Sequence, residues 1–276
     1  MTLLYGHRVL PGARGDFRLG PDVEQGVTTR EFSEFVSRYR CRIANWDQAV
    51  ATSKIGLSFD DGFKDFADHA LPAIERIGKR VVLFVTTEFL GQVRTPYEYV
   101  VGELLASTPV PELPPIVRDD QHSVSNSGQI YKRVVSKLKL MEPQDRDHVV
   151  NELCTLNGRE RASIPSPDML TWDDLARLGR HPLVDIGAHT LSHPVLARSG
   201  WGRAWREMAD SKRIIERRLS MRIAHFAYPY GANSFVVRKL ARIAGFSMAF
   251  STENGRGGKF AIPRQNLVAY TSAEAS

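Results

Sequence analysis

The run "KIGLSFDDGFKD", Lys54 to Asp65, decides how the rest of the chain is read. An apolar segment, "KIGLSF", ends on two adjacent carboxylates, Asp60 and Asp61, and Gly62 then lets the chain turn. Neighbouring like charges repel, so the pair needs a compensating cause. In parallel α/β folds, the C-terminal ends of strands are where sites are built, and the doublet stands at such an end. An Asp-Gly turn with solvated carboxylates is the plain alternative for these residues taken alone.

Outward from this run, short β-branched or apolar stretches alternate with helical patterns. "LLYGHRV", "RVVLFV", "LVDIGAH", "RIAHFAY", "FSMAF" and "LVAY" join "KIGLSF" as expected strands. Segments such as "DFADHALPAIERIG" and "WGRAWREMADSKRIIERRL" carry helical periodicity between them. Strand and helix in alternation imply βα units, a parallel sheet and an α/β fold, and about seven units favour a distorted (β/α) barrel. From about Thr95 to Asp168 the rhythm breaks. "TPVPELPPIVRDD" and "HSVSNSGQ" are rich in turn formers, and two helices are expected after them, at Tyr131 to Leu140 and Gln144 to Leu156. The stretch reads as a helical cap inserted into a single domain spanning residues 1–276.

The chain is 276 residues long and 42% hydrophobic, enough to fold around a sizeable core. No apolar stretch approaches the roughly 20 residues of a membrane span. "MTLLYGHRVLPG" turns polar too soon for a secretory signal, so the expected location is cytoplasmic, unless an export leader has been cut away. Two distant cysteines, Cys41 and Cys154, suit a reducing compartment and exclude a cysteine zinc knuckle. The net charge of +6 is concentrated in "YKRVVSKLKL" and "SKRIIERRLSMR", whose apolar residues recur at helical spacing. These read as solvated helix faces, with no nucleic-acid partner expected.

The doublet gains meaning from "IGAHTLSHPVL", where His189 and His193 close another expected strand. Neutral imidazoles bind zinc and similar divalent ions, and a carboxylate from a neighbouring strand end would supply a third ligand. Two His and one carboxylate leave a position open for water, the layout of a catalytic metal. Thr190 stands where H-E-x-x-H proteins carry their general base, so a base must come from elsewhere. The doublet can provide both groups, one Asp on the metal and the other taking a proton. "HFAYPYGANS" adds a tight turn at Tyr228 to Gly231 that can aim a backbone N–H at an oxyanion.

Taken in order, "LSFDDGFKD", "GAHTLSHP", "FAYPYG", "GFSMAFSTENG" and "IPR" resemble the polysaccharide deacetylases, the NodB-homology group of carbohydrate esterase family 4. The resemblance runs from about Leu3 to Ala269, interrupted by the insertion. It implies a metal-dependent hydrolase that removes the N-acetyl group of an amino sugar in a cell-envelope or exopolysaccharide glycan. On this likeness Asp60 is the general base, and Asp61, His189 and His193 hold the metal, zinc first, with nickel, cobalt or iron as alternatives. Tyr230 lends its backbone N–H to the oxyanion. The family's third motif usually has an Arg where this chain has Phe226, and Arg264 of "AIPRQNL" is the expected replacement. The family's late Leu-x-x-His motif, source of the general acid, is absent after Ala261. One branch, the deacetylases of biofilm exopolysaccharide, places a His after an early Tyr, which makes His7 the candidate acid, with an ordinary pKa of about 6.5 suited to proton donation near neutral pH. His225, at the start of its strand, is expected to point to the other end of the barrel. Trp172, Trp201, Trp205, Tyr97 and Tyr99 are candidate sugar-stacking faces. The basic surface suits an anionic or lipid-phosphate-linked glycan. The rival readings are a glycan-binding homologue without catalysis and an amide hydrolase or deformylase of another substrate.

Overall fold

A computed structural model describes residues 2–14, 19–118, 126–252 and 258–272. Residues 119–125 and 253–257, which include parts of "HSVSNSGQ" and "GFSMAFSTENG", lie outside the described residues. The chain forms two compact units, one of Met1–Gly12, Gln25–Arg94 and Asp168–Ser276, the other of Ala13–Glu24 and Thr95–Pro167.

The first unit is a parallel barrel with helices outside. Its strands are β1 (Thr2–Gly6), β4 (Ile55–Phe59), β5 (Val81–Val85), β6 (Val184–Ala188), β7 (His225–Ala227), β8 (Met248–Ser251), β9 (Ile262–Pro263) and β10 (Gln265–Asn266). A separate pair, β2 (Arg8–Leu10) and β3 (Gly26–Thr28), lies beside them. Among the described residues the main sheet has eight strands, in the order β10-β1-β4-β5-β6-β7-β8-β9, one more than the approximate count from sequence. Its two edge strands, β9 and β10, are consecutive in the chain and separated by Arg264 alone, so the segment 262–266 spans the seam between β8 and β1.

Alternation along the strands divides two apolar layers. Leu3, Val82, Phe84, Ala227, Phe250 and Ile262 share one cluster, into which Trp46 packs with its ring 5.0 Å from Phe250. Leu4, Val81, Leu83 and Val85, their chain neighbours, pack against the helices. Burial on both faces is what an all-parallel sheet requires. Gly56 permits this packing, since a Cβ there would lie 2.8 Å from both Ala49 and Leu3.

Two expected strands are corrected. "LLYGHRV" breaks at His7: β1 ends at Gly6, and Arg8 to Leu10 pairs with β3 instead of the main sheet. "LVAY" belongs to a helix, Leu267–Ser272. The Asn266 side chain accepts the Val268 N–H at 2.9 Å, and a local cap of this kind settles a four-residue run whose periodicity fits either element.

The second unit is helical. Tyr97–Ser107, Ser127–Leu138 and Pro143–Leu156 enclose a core of Val101, Leu104, Val134, Leu138, Val150 and Leu153. Asn126 caps the second helix reciprocally with Gln129. The buried Arg146 guanidinium lies 4.4 Å from the Tyr97 ring centre. Tyr97 is thus a core residue here, and the Tyr99 hydroxyl donates to Asp22 at 2.8 Å. Leu19 packs on the same core, a connection from 13–24 that sequence reading did not assign.

Candidate active site

Parallel strands bring their C-terminal ends to one edge of the barrel. Gly6 and Phe59 are paired in register, as are Val85 and Ala188, so the residues that follow share that edge. The ladders continue one step further: Asp60 N–H donates to Gly6 O and His189 N–H to Val85 O, both at 2.9 Å. His7, Asp60, Asp61, His189, His193 and Tyr230 are all brought to this edge.

The Asp61 carboxylate faces two imidazoles. Its Oδ1 lies 3.6 Å from His189 Nε2 and 3.5 Å from His193 Nε2. All three residues are buried. His189 Nδ1 lies 2.7 Å from Ala227 O, and a carbonyl only accepts, so the proton sits on Nδ1 and the Nε2 lone pair is directed at Asp61. Burial pushes the His189 pKa down, favouring this neutral form. Two imidazole nitrogens, one of them presenting its lone pair, converging on a carboxylate oxygen suit a cation. In a tetrahedral site with bonds of roughly 2.1 Å, neighbouring ligand atoms lie about 3.4 Å apart, close to the separations here. Asp61, His189 and His193 therefore fit a divalent metal in both chemistry and spacing.

Asp60 has a different surrounding. Arg264 grips it with two parallel bonds, Nη1 to Oδ1 at 2.7 Å and Nη2 to Oδ2 at 2.8 Å. Arg264 is 1% exposed, donates to Ser58 Oγ at 3.0 Å, and stacks over Phe84 and Tyr5. Burial alone would raise the Asp60 pKa, but the Arg264 charge and its bonds bring it below the ordinary value. Phe226 occupies the position of the family's usual Arg and packs on Tyr228 and Phe246.

His7 stands where β1 ends, with its ring 5.5 Å from that of Tyr5. Its Nδ1 is buried and has no hydrogen-bond partner among the described residues. Burial pushes its pKa down to about 4, despite the opposing pull of Asp60, which corrects the expectation of an ordinary value near neutrality. His225 lies at the start of β7 against Phe250, with Asp47 as its charged influence. Trp201 and Trp205 are exposed, and Trp172 lies beneath the Arg218 guanidinium, 5.4 Å away.

Among the described residues, four of the six non-glycine residues with positive φ fall in these motifs: Asp61 (75°), Thr190 (73°), His193 (58°) and Tyr230 (58°). Left-handed backbone is costly for a β-branched residue such as Thr190, and strain of this kind concentrates at functional sites. Tyr230 lies in the turn Pro229–Gly231, its ring 4.6 Å from that of His193. Sequence reading missed the contacts that hold these loops. Asp65 pairs with Arg8, accepts the Val9 N–H at 3.1 Å, and so ties the segment after His7 to the loop after Asp60. Asp65 and Arg8 are 57 positions apart, and no local pattern announces the pair.

A family model described as polysaccharide deacetylase matches residues 47–249, most of the chain. The chain belongs to the polysaccharide deacetylase family. It is accordingly a hydrolase acting on the amide bonds of glycans. No curated protein matches it. Among solved structures, this polysaccharide deacetylase is similar to IcaB from Ammonifex degensii, at 17% identity, TM-score 0.61, with 99% of this chain and 95% of that one covered. It is also similar to the Streptococcus pyogenes deacetylase PplD in complex with acetate, at 14% identity and TM-score 0.59, over 97% and 92% of the two chains. The BpsB deacetylase domain from Bordetella bronchiseptica gives 16% identity and TM-score 0.57, over 96% and 95%. These likenesses describe the fold of the deacetylase. Among its described residues, no helix is long and apolar enough to cross a membrane.

Proposed function

We propose that this deacetylase removes the N-acetyl group from an amino sugar of a cell-envelope or exopolysaccharide glycan, with a divalent metal held by Asp61, His189 and His193. The observation that carries the reading is the pairing of two unlike carboxylates at one strand end. Asp61 meets two imidazole nitrogens, and Asp60 meets a buried guanidinium. A cation bound to the first would polarise the acetamide carbonyl and acidify water; zinc is the first candidate on ligand type, with nickel, cobalt and iron as alternatives.

The chain's own residues supply the rest. Asp60, kept ionised by Arg264, takes the proton of the attacking water at a carboxylate oxygen. Each of its oxygens accepts one Arg264 N–H and keeps a lone pair for that purpose. The water's hydroxyl joins the acyl carbon, and the Tyr230 backbone N–H is the candidate donor to the developing oxyanion. Cleavage of the C–N bond requires a proton on the departing nitrogen, and acetate and the free amine then leave. His7 is the candidate for that transfer. Held neutral by burial, it must first collect a proton, and Asp60, which follows Phe59 as His7 follows the Gly6 paired with it, is the proposed source. The net charge of +6 supports an anionic or lipid-phosphate-linked glycan. The inserted segment, read as a cap within one domain, is assigned to choice of glycan.

The test combines elemental metal analysis of the purified protein with acetate release from a panel of N-acetylglucosamine oligomers and polymers. Bound divalent metal together with acetate from at least one oligomer is expected. A metal-containing protein that releases formate or opens cyclic amides, and yields no acetate, would assign it another substrate.

A further inference from the structure

The loop from His189 to His193 carries two of the three candidate ligands on a backbone that enters the left-handed region twice. Within the loop, Thr190 Oγ1 donates to the His189 carbonyl and accepts the His193 N–H, the latter at 3.0 Å. The residues between, Leu191 and Ser192, would each turn an amide into a buried space. Glu207 meets both. Its Oε2 accepts Leu191 N–H at 2.9 Å and Ser192 N–H at 3.0 Å, and its Oε1 accepts the Ser192 hydroxyl at 2.6 Å. Arg203, one turn earlier on the helix Trp201–Leu219, sits 4.0 Å from the same carboxylate. Glu207 is only 5% exposed. A buried carboxylate taking three donors from one short loop is costly to maintain unless the loop's shape matters.

We propose that Glu207 is a positioning residue for the metal centre: it fixes the His189–His193 loop in the strained form that aims both imidazoles at Asp61. The inference rests on the metal reading of that triad. Partners of this kind, one layer behind the ligands, typically alter metal affinity by roughly 10–100-fold when removed.

Cobalt titration of the full chain, stripped of metal and followed by visible absorption, tests it. Glu207→Ala is expected to weaken Co(II) affinity by about 10–100-fold and to alter the absorption bands. Amide exchange at Leu191 and Ser192 should accelerate in the same variant. Glu207→Gln should keep affinity within a few fold: its carbonyl can face the two amides, while its NH2 meets a Ser192 hydroxyl that reverses to accept. Ile215→Ala, a fully buried change two turns along the same helix, separates positioning from general stability. It should lower Tm without moving the Co(II) affinity. If Glu207→Ala does not fold, Glu207→Asp, whose shorter side chain cannot reach both amides, is read in its place and should bind Co(II) several-fold more weakly. Unchanged affinity and bands in the folded variant, or an equal loss in Ile215→Ala, would overturn the assignment to Glu207 and leave the metal reading standing. A wild-type chain that takes up no Co(II) would overturn both.

Discussion

Asp60 and Asp61 are adjacent in sequence yet have opposite surroundings, and substitution should separate them. Asp61→Ala is expected to lose metal on dialysis, as measured by elemental analysis, because one of three ligands is gone. Asp60→Asn should keep its metal and lose roughly 100-fold or more in turnover, the scale of a lost general base. Arg264→Met offers a subtler check through pH. A base works only when ionised, and with Arg264 present the Asp60 pKa lies below the ordinary carboxylate value. Without Arg264, the largest influence opposing burial is gone, with only His189 and His7 left to counter it, and the pKa rises. The acid limb of kcat/KM should therefore move to higher pH. An unmoved limb would remove Asp60 as the base. His7→Ala should retain metal and lose most turnover. The doublet, both histidines and Arg264 were legible in sequence because each sits in a short motif at a strand end. The low pKa of His7 was not, because desolvation is a property of the packed surroundings.

At the scale of elements, the site is a set of turns set in unfavourable backbone by their neighbours. The turn after β7 shows the limit most sharply. Gly231 has φ of +70°, and a Cβ there would lie 2.0 Å from Thr252 Oγ1 and 2.5 Å from Thr252 N. Gly231→Ala must displace that strand end, and Tyr230 with it. We expect a loss of stability of about 1–3 kcal/mol by denaturant unfolding and a larger loss of turnover than Tm alone would suggest. The apolar runs that became β4, β5 and β6 were readable because burial on both faces leaves no ambiguity. "LVAY" was not, being short enough to suit either period until Asn266 capped it. Glu207 was unreadable for another reason. It lies in a charged helical stretch where a solvated carboxylate is the normal expectation, and only the fold turns it toward Leu191 and Ser192.

For the whole molecule, acid should act in two stages. His7, His189 and His225 all have lowered pKa values in the folded chain, mainly through burial. The unfolded chain protonates them near pH 6.5, so their contribution to stability is full above that pH and drains away as pH falls toward their folded values. Asp60, Asp174 and Glu216 have lowered pKa values as well and contribute their losses only below about pH 4. Urea unfolding of the metal-free protein should show a first decline starting near pH 6.5, and His225→Gln should shrink it. The candidate metal ligands Asp61, His189 and His193 all belong to the barrel unit. Leu104→Ala, in the helical core, should cost about 2–5 kcal/mol of that unit's stability and leave Co(II) affinity as it was. The seam at residues 262–266 bears on time as well as shape. The bond between Arg264 and Asp60 joins positions 204 apart, and β10 lies beside β1, so β1 must wait for a partner made about 260 residues later. Contacts of such separation are slow to close. On the proposed role of Asp60 as base, its carboxylate gains its counter-charge only when the ring is complete, and full turnover is expected to appear late in the birth of each molecule.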